Sequence, residues 1–142
     1  MMDRVAFFAG SFDPFTVGHE RIVRRALSLF DKIVVGVGVN DDKVCMFSPE
    51  NRVERIRSVF TGESRVEVVC YEGLTVNCCR KVGAKFLVRG IRDANDLEYE
   101  RRVAEVNKSL DASIETVFFL AENEMKSVSS TAVRRALSGI EK

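Results

Sequence analysis

Two hydrophobic periods alternate along the chain. Short apolar runs rich in valine, isoleucine and phenylalanine predict buried strands over residues 4–9, 32–39, 65–71, 85–89 and 114–121. Between them, apolar residues recur at three- and four-residue spacing, the mark of helices with one buried face. The first helix is expected over residues 17–30, with Ile22, Val23, Ala26, Leu27 and Phe30 inward. The second begins where Ser48 caps, Pro49 takes the first helical position and Glu50 meets the positive end of the dipole. It carries Val53, Ile56, Val59 and Phe60 inward and ends near Gly62. Residues 74–82 form a third helix stopped by Gly83, and residues 94–110 a long polar fourth. Residues 129–138 form a fifth, with Gly139 just beyond it.

Five strand–helix units in series predict one α/β domain over residues 1–142. It is a doubly wound, Rossmann-like, five-stranded parallel sheet with helices on both faces. In the strand order 3-2-1-4-5, the first and fourth strands are neighbours where the order reverses. Ligands of open α/β sheets bind at that point, outside the C-terminal strand ends. The rule selects residues 10–19 and 89–92.

The residues there suit phosphate. Gly10-Ser11-Phe12-Asp13-Pro14-Phe15-Thr16-Val17-Gly18-His19 leads from a strand into a helix N-terminus, whose unpaired N–H groups and dipole favour anions. Gly18 lets a ligand approach the backbone, although glycine there weakens the helix by roughly 1 kcal/mol relative to alanine. His19 is the one histidine of the chain. Taken alone, the stretch is equally a tight turn with Thr16 as cap and a surface histidine. After the fourth strand, Arg89-Gly90-Ile91-Arg92 sets two guanidinium forks around an approachable glycine. After the fifth, Met125-Lys126-Ser127-Val128-Ser129-Ser130-Thr131, with Arg134 one turn on, gathers hydroxyls at a helix start. They serve as caps or as triphosphate ligands.

Composition narrows the classes. Hydrophobic residues make up 46% of 142 and charged residues 30%, the profile of a globular protein. Twenty-two basic against 21 acidic residues leave a net charge of +1, which gives no support to a nucleic-acid or membrane surface as partner. No apolar run approaches the roughly 18 residues of a membrane span. The N-terminus reaches Asp3 without a signal-peptide core, so a cytoplasmic protein is expected. Cys45, Cys70, Cys78 and Cys79 have no CxxC spacing, and one histidine does not complete a zinc set. They are expected to be ordinary thiols of a reducing compartment.

The segment from Gly10 to His19 resembles the T/HxGH signature of the nucleotidylyltransferase superfamily, most closely as it stands in the phosphopantetheine adenylyltransferase family. Arg89-Gly90-Ile91-Arg92 is similar to that family's RG[LI]R, and Leu97-Glu98-Tyr99-Glu100 to its FEYE-like segment. Ser129-Ser130-Thr131 with Arg134 resembles the superfamily's ISSTxxR, with Val128 for isoleucine. The resemblance covers roughly residues 4–138, with the motifs in order. Departures are Ser11 where threonine is usual, Cys45 in place of a proline after Lys43, and Thr75 where larger apolar residues are common. The chain ends at Lys142, earlier than many relatives, so part of the family's C-terminal tail is expected to be missing.

The resemblance implies transfer of AMP from ATP to 4′-phosphopantetheine, giving dephospho-coenzyme A and pyrophosphate. It further implies Mg²⁺ carried by ATP, a homohexamer, and coenzyme A as a feedback ligand. Carried over residue by residue, His19 is assigned to the transition-state phosphate oxygens. Ser11 and Phe12 hold ATP and acceptor at the first turn. Arg92 holds the triphosphate with Ser129, Ser130 and Thr131, in one segment with Met125, Lys126, Ser127 and Val128. Gly90, Ile91 and Glu100 seat the nucleoside, Lys43 and Arg89 grip the acceptor phosphate, and Thr75 lines the pantetheine arm. Such a reaction needs positioning and charge stabilisation rather than a carboxylate pair or nucleophilic cysteine.

Three other readings stand beside it. One is a nucleotidylyltransferase acting on glycerol phosphate with CTP or on nicotinamide mononucleotide with ATP. A second is a non-catalytic module sensing ATP or coenzyme A. The third is a fragment of a tRNA synthetase with its HIGH-like signature. The pairing of RGIR with LEYE favours the pantetheine acceptor, His19 and Lys43 speak against pure binding, and the short, nearly neutral chain speaks against the synthetase.

Overall fold

β1 (Val5–Gly10) and β2 (Lys32–Gly38) are apolar on both faces: Ala6, Phe7, Ile33, Val34, Val35 and Val37 are wholly buried. Strands of that kind belong in the middle of a parallel sheet covered on two sides. The computed structural model, which describes residues 3–40 and 44–121, has this arrangement. The remaining described elements are α1 (Val17–Ala26), α2 (Pro49–Val59), β3 (Val66–Tyr71), α3 (Thr75–Val82), β4 (Phe86–Ile91), α4 (Ala94–Leu110) and β5 (Glu115–Leu120). All pairings are parallel and the order is β3-β2-β1-β4-β5, as the alternation predicts. The expected helix over residues 129–138 lies outside the described residues.

The two-residue period of the strands sorts the core into halves. Ala6, Phe8, Ile33, Val35 and Val88 pack with Ile22, Val23 and Ala26 of α1 and with Val53 and Ile56 of α2. Phe7, Ala9, Val34 and Leu87 pack on the other face with Val76 and Cys79 of α3 and with Ile114. The Phe7 ring fills the place where a side chain at Gly36 would sit, so that glycine has a packing reason. α4 borders β4, β5 and α3 and buries only Glu100. No described helix is long and apolar enough to cross a membrane.

Three local expectations are corrected. α1 ends at Ala26, with Leu27 as C-cap, rather than at residue 30. Phe30 still reaches the core through a turn in which its N–H bonds Ala26 O at 3.0 Å, so helical spacing of apolar residues outlasts the helix. Val59 is exposed at the end of α2, while Arg52 takes an inward position that apolar patterning overlooks. Gly90 and Ile91 continue β4 instead of opening a loop, because β5 supplies Phe119 and Leu120 as ladder partners.

The adjacent Cys78 and Cys79 are free thiols. Burial, with smaller contributions from Cys78 and Asp111, pushes the Cys79 thiol up to about 12, so it stays protonated and unreactive. Asp111, the C-cap of α4, accepts from Ser113 Oγ at 2.6 Å and Ser113 N at 2.9 Å, and from Arg80 Nε of α3 at 2.8 Å. The Ser113 bonds first, then Arg80, hold its carboxyl at about 2 against an ordinary 3.8, burial opposing them. A depressed carboxylate contributes stability above its unfolded value and loses it as pH falls toward the folded one. Asp111→Asn is therefore expected to lower the urea midpoint at neutral pH. Its curve and the wild-type curve should converge between pH 3.8 and about 2; parallel curves would remove this role.

Candidate active site

Beyond Gly10 the chain turns sharply at the C-terminal edge of β1. Phe12 has φ 49°, in the left-handed region that aromatic residues rarely adopt. Such strain is of order 1–3 kcal/mol and needs an offset. Burial of the ring provides one: it lies edge-on to Phe8, Phe15 and His19, with centroids 5.1, 5.2 and 5.0 Å away. With the ring turned into the core, the Ser11–Phe12 backbone is left at the cavity wall.

This turn is laced to the segment after β2. The Asp13 carboxylate accepts from Met46 N at 2.6 Å and Phe47 N at 2.8 Å. Arg52 of α2, 2% exposed, donates through Nη1 to Ser11 O at 2.7 Å and Gly38 O at 3.5 Å, and through Nε to Phe47 O at 3.1 Å. Burial raises the Asp13 carboxyl, but the Met46 and Phe47 bonds and the Arg52 charge hold it below its ordinary value. The available signal for Arg52 was its spacing, four and eight residues before Ile56 and Phe60.

Thr16 caps α1. Its Oγ1 accepts from His19 N at 3.3 Å, and its own N–H donates to His19 Nδ1 at 2.9 Å. Histidine thus takes the place that glutamate or glutamine fills in a capping box. A ring whose Nδ1 accepts a backbone N–H carries its neutral-state proton on Nε2. The fold thereby makes His19 a donor at Nε2, with the ring set among Phe8, Phe12 and Phe15.

Two cavities meet at this edge. The first, about 710 Å³, brings together the predicted Ser11, Phe12, His19, Arg89, Gly90, Arg92 and Glu100. The second, about 400 Å³, is lined by Ser11, Thr75 and Arg89, and by Asn40 and Cys45. The end of β1 and Arg89 form the wall between them. Arg89 donates through Nε and Nη2 to the two Glu100 oxygens, each at 2.6 Å, and through Nη1 to Ala9 O at 2.6 Å. Burial works against its charge, and Glu100 outweighs it, so the guanidinium pKa is raised. Sequence reasoning assigned these two residues to different ligands; the structure joins them as an ion pair.

Arg92 donates through its backbone N–H and Nε to Asp96 Oδ2 at 3.1 and 3.0 Å. Those bonds hold the Asp96 carboxyl low beside the first cavity, a neighbour that motif reading did not single out. A side chain at Gly90 would overlap Ile22 Cδ1, so this glycine also lets α1 approach β4. Ile91 lines neither cavity, and its carbonyl accepts from Ala121 N at 2.7 Å. Thr75 Oγ1 lies 3.0 Å from Tyr71 OH at the second cavity. Lys43, Met125, Lys126, Ser127, Val128, Ser129, Ser130, Thr131 and Arg134 lie outside the described residues. Among the described residues, no three His, Cys, Asp or Glu side chains gather as a metal site.

Residues 7–136 match the cytidylyltransferase-like family. A phosphopantetheine adenylyltransferase of Phocaeicola vulgatus is 46% identical over 134 residues, covering 94% of this chain and 88% of that protein. One of Bacteroides fragilis is 46% identical over 134 residues, 94% and 89% of the two chains. Among solved structures, a bifunctional NMN adenylyltransferase/ADP ribose pyrophosphatase of Francisella tularensis superposes with a TM-score of 0.63 at 16% identity. It covers 97% of this chain and 43% of that one, a likeness of fold.

Proposed function

The chain belongs to the cytidylyltransferase-like family and, within it, to the phosphopantetheine adenylyltransferases, and from that membership we infer that it transfers AMP from ATP to 4′-phosphopantetheine. The products are dephospho-coenzyme A and pyrophosphate. The observation that carries this reading is the meeting of two cavities at Ser11 and Arg89, the first holding His19 and suited to a nucleotide, the second suited to another phosphate-bearing substrate.

An acceptor phosphate oxygen attacks the α-phosphorus of ATP, and the α–β bridging P–O bond breaks with its electrons leaving on pyrophosphate. The nucleophile is already anionic, so no general base is required. His19, presenting Nε2–H, donates to α-phosphate oxygens as charge gathers on them. The Ser11–Phe12 backbone holds phosphate beside it. Arg92, with Ser129, Ser130 and Thr131 and the adjoining Met125, Lys126, Ser127 and Val128, holds the triphosphate. Gly90 and Glu100, which line the first cavity, seat the nucleoside. Arg89 and Lys43 aim the acceptor phosphate, and Thr75 borders its arm. Support for Lys43 comes from its place between Asn40 and Cys45, which both line the second cavity. Mg²⁺, entering on the ATP phosphates, would neutralise charge on the leaving pyrophosphate.

Coenzyme A, which carries both an adenine nucleotide and a pantetheine arm, is the natural feedback ligand for such a pair of cavities. The free thiols support a cytoplasmic location. α4 exposes Leu97, Tyr99, Val106 and Leu110, an apolar set that supports assembly into the homohexamer. Light scattering should report six copies, and a monomer would remove that part alone.

Purified protein given ATP, Mg²⁺ and 4′-phosphopantetheine should release pyrophosphate and form dephospho-coenzyme A in equal amounts. Release with nicotinamide mononucleotide, or with CTP and glycerol phosphate, and none with 4′-phosphopantetheine would overturn the assignment. Lys43→Ala should weaken acceptor binding by about 1.5–3 kcal/mol, roughly ten- to hundredfold in KM. ATP binding measured by calorimetry should be unchanged.

A further inference from the structure

The Arg89–Glu100 pair connects the two cavities. Arg89 is the one charged side chain, among the described residues, that lines both; Glu100 lines only the first. Of the five N–H groups of the guanidinium, two go to the Glu100 oxygens and one to Ala9 O. Two remain for a phosphate. The pair is neutral as it stands, and the carboxylate lies against the guanidinium, so an acceptor phosphate meets a cation whose field is largely cancelled. Both side chains are shielded from water, Glu100 at 9% exposure and Arg89 at 28%, which keeps that cancellation strong.

We propose that Glu100 is a positioning residue that couples nucleotide and acceptor binding through Arg89. A carboxylate holding a bidentate arginine still has lone pairs to accept from hydroxyl or amino donors. When a nucleoside in the first cavity donates to Glu100, part of the carboxylate's charge is drawn toward the new partner. The Arg89 cation then acts more fully on the phosphate in the second cavity. Each ligand strengthens the other by the same factor, as linkage requires. The inference rests on the adenylyl-transfer reading for the identity of the two ligands.

Calorimetry on the full-length protein tests it. 4′-Phosphopantetheine is titrated into protein alone, into protein saturated with α,β-methylene-ATP, whose α–β bridge does not break, and into protein saturated with inorganic tripolyphosphate. The methylene nucleotide should lower the acceptor Kd about fivefold or more, the lower end of ordinary coupling between sites. Tripolyphosphate, which has no nucleoside to donate to Glu100, should not lower it. Glu100→Gln should bind the acceptor tightly without any nucleotide and show a ratio near one, a gain that structural damage would not produce. If that variant fails to fold, the wild-type comparison of nucleotide with tripolyphosphate decides alone. Equal enhancement by tripolyphosphate, an unchanged Kd with the nucleotide, or a persisting ratio in Glu100→Gln overturns the coupling. Turnover with a ratio of one removes the coupling and leaves the function standing; failure to bind either ligand removes both.

Discussion

Replacing His19 by alanine is expected to lower kcat by about 10²–10³-fold, the loss associated with one donor aimed at transition-state charge. ATP affinity should change by no more than a few-fold. The expectation follows from the ring's orientation: Thr16 N–H occupies Nδ1, which leaves the proton on Nε2 for charge that develops during transfer. The same substitution removes half of the capping box, so some stability is lost as well, about 1 kcal/mol by analogy with other caps. His19→Gln separates the two effects. Glutamine restores the box, because its side chain suits that helical position, and the melting temperature should recover while kcat does not. Steady-state kinetics with calorimetry of ATP binding checks both. Equal loss of ATP binding and turnover would make His19 a ground-state ligand instead.

Arg52→Met carries the largest expected cost in stability. The methionine keeps much of the volume but leaves Ser11 O, Phe47 O and Gly38 O without their donor, and removes the positive charge that helps hold the Asp13 carboxyl low. Leaving buried acceptors without their charged donor costs about 1–3 kcal/mol apiece, so a loss of about 3–5 kcal/mol is expected for this set. That is a large part of the 5–15 kcal/mol typical of a whole domain. For a chain of this length it corresponds to roughly 6–20 °C in Tm. Scanning calorimetry should show that drop. A shift of only a degree or two would mean that water replaces the guanidinium and that the lacing of the two loops is incidental.

The sheet was legible because strand and helix periods alternate cleanly and one ordering rule selects the switch point. The motif residues followed from it, since Ser11, Phe12, His19, Gly90 and Arg92 sit at strand ends or at a helix start. What escaped has a common physical origin. Arg52, and the burial of the predicted site residue Glu100 against Arg89, escaped because apolar patterning assigns charged residues on helices to solvent. Their burial depends on partners 41 and 11 residues away, which no local period reports. Asp96 was passed over because its role is local to the α4 start, where an acid next to an arginine looks like ordinary surface. The extension of β4 through Gly90 depends on β5, a partner set by the sheet rather than by the segment itself.

The chain has one histidine, and three phenylalanine rings surround it. In a proton NMR spectrum the imidazole C–H signals of this protein are therefore a single, unambiguous pair that needs no selective labelling. Ring currents from Phe12, nearly perpendicular at 81°, and Phe15, tilted by 35°, displace them from free-histidine positions. A nucleotide settling against the turn would move those rings or the imidazole by a fraction of an ångström. The same pair of lines would then report its arrival in real time, in unmodified protein.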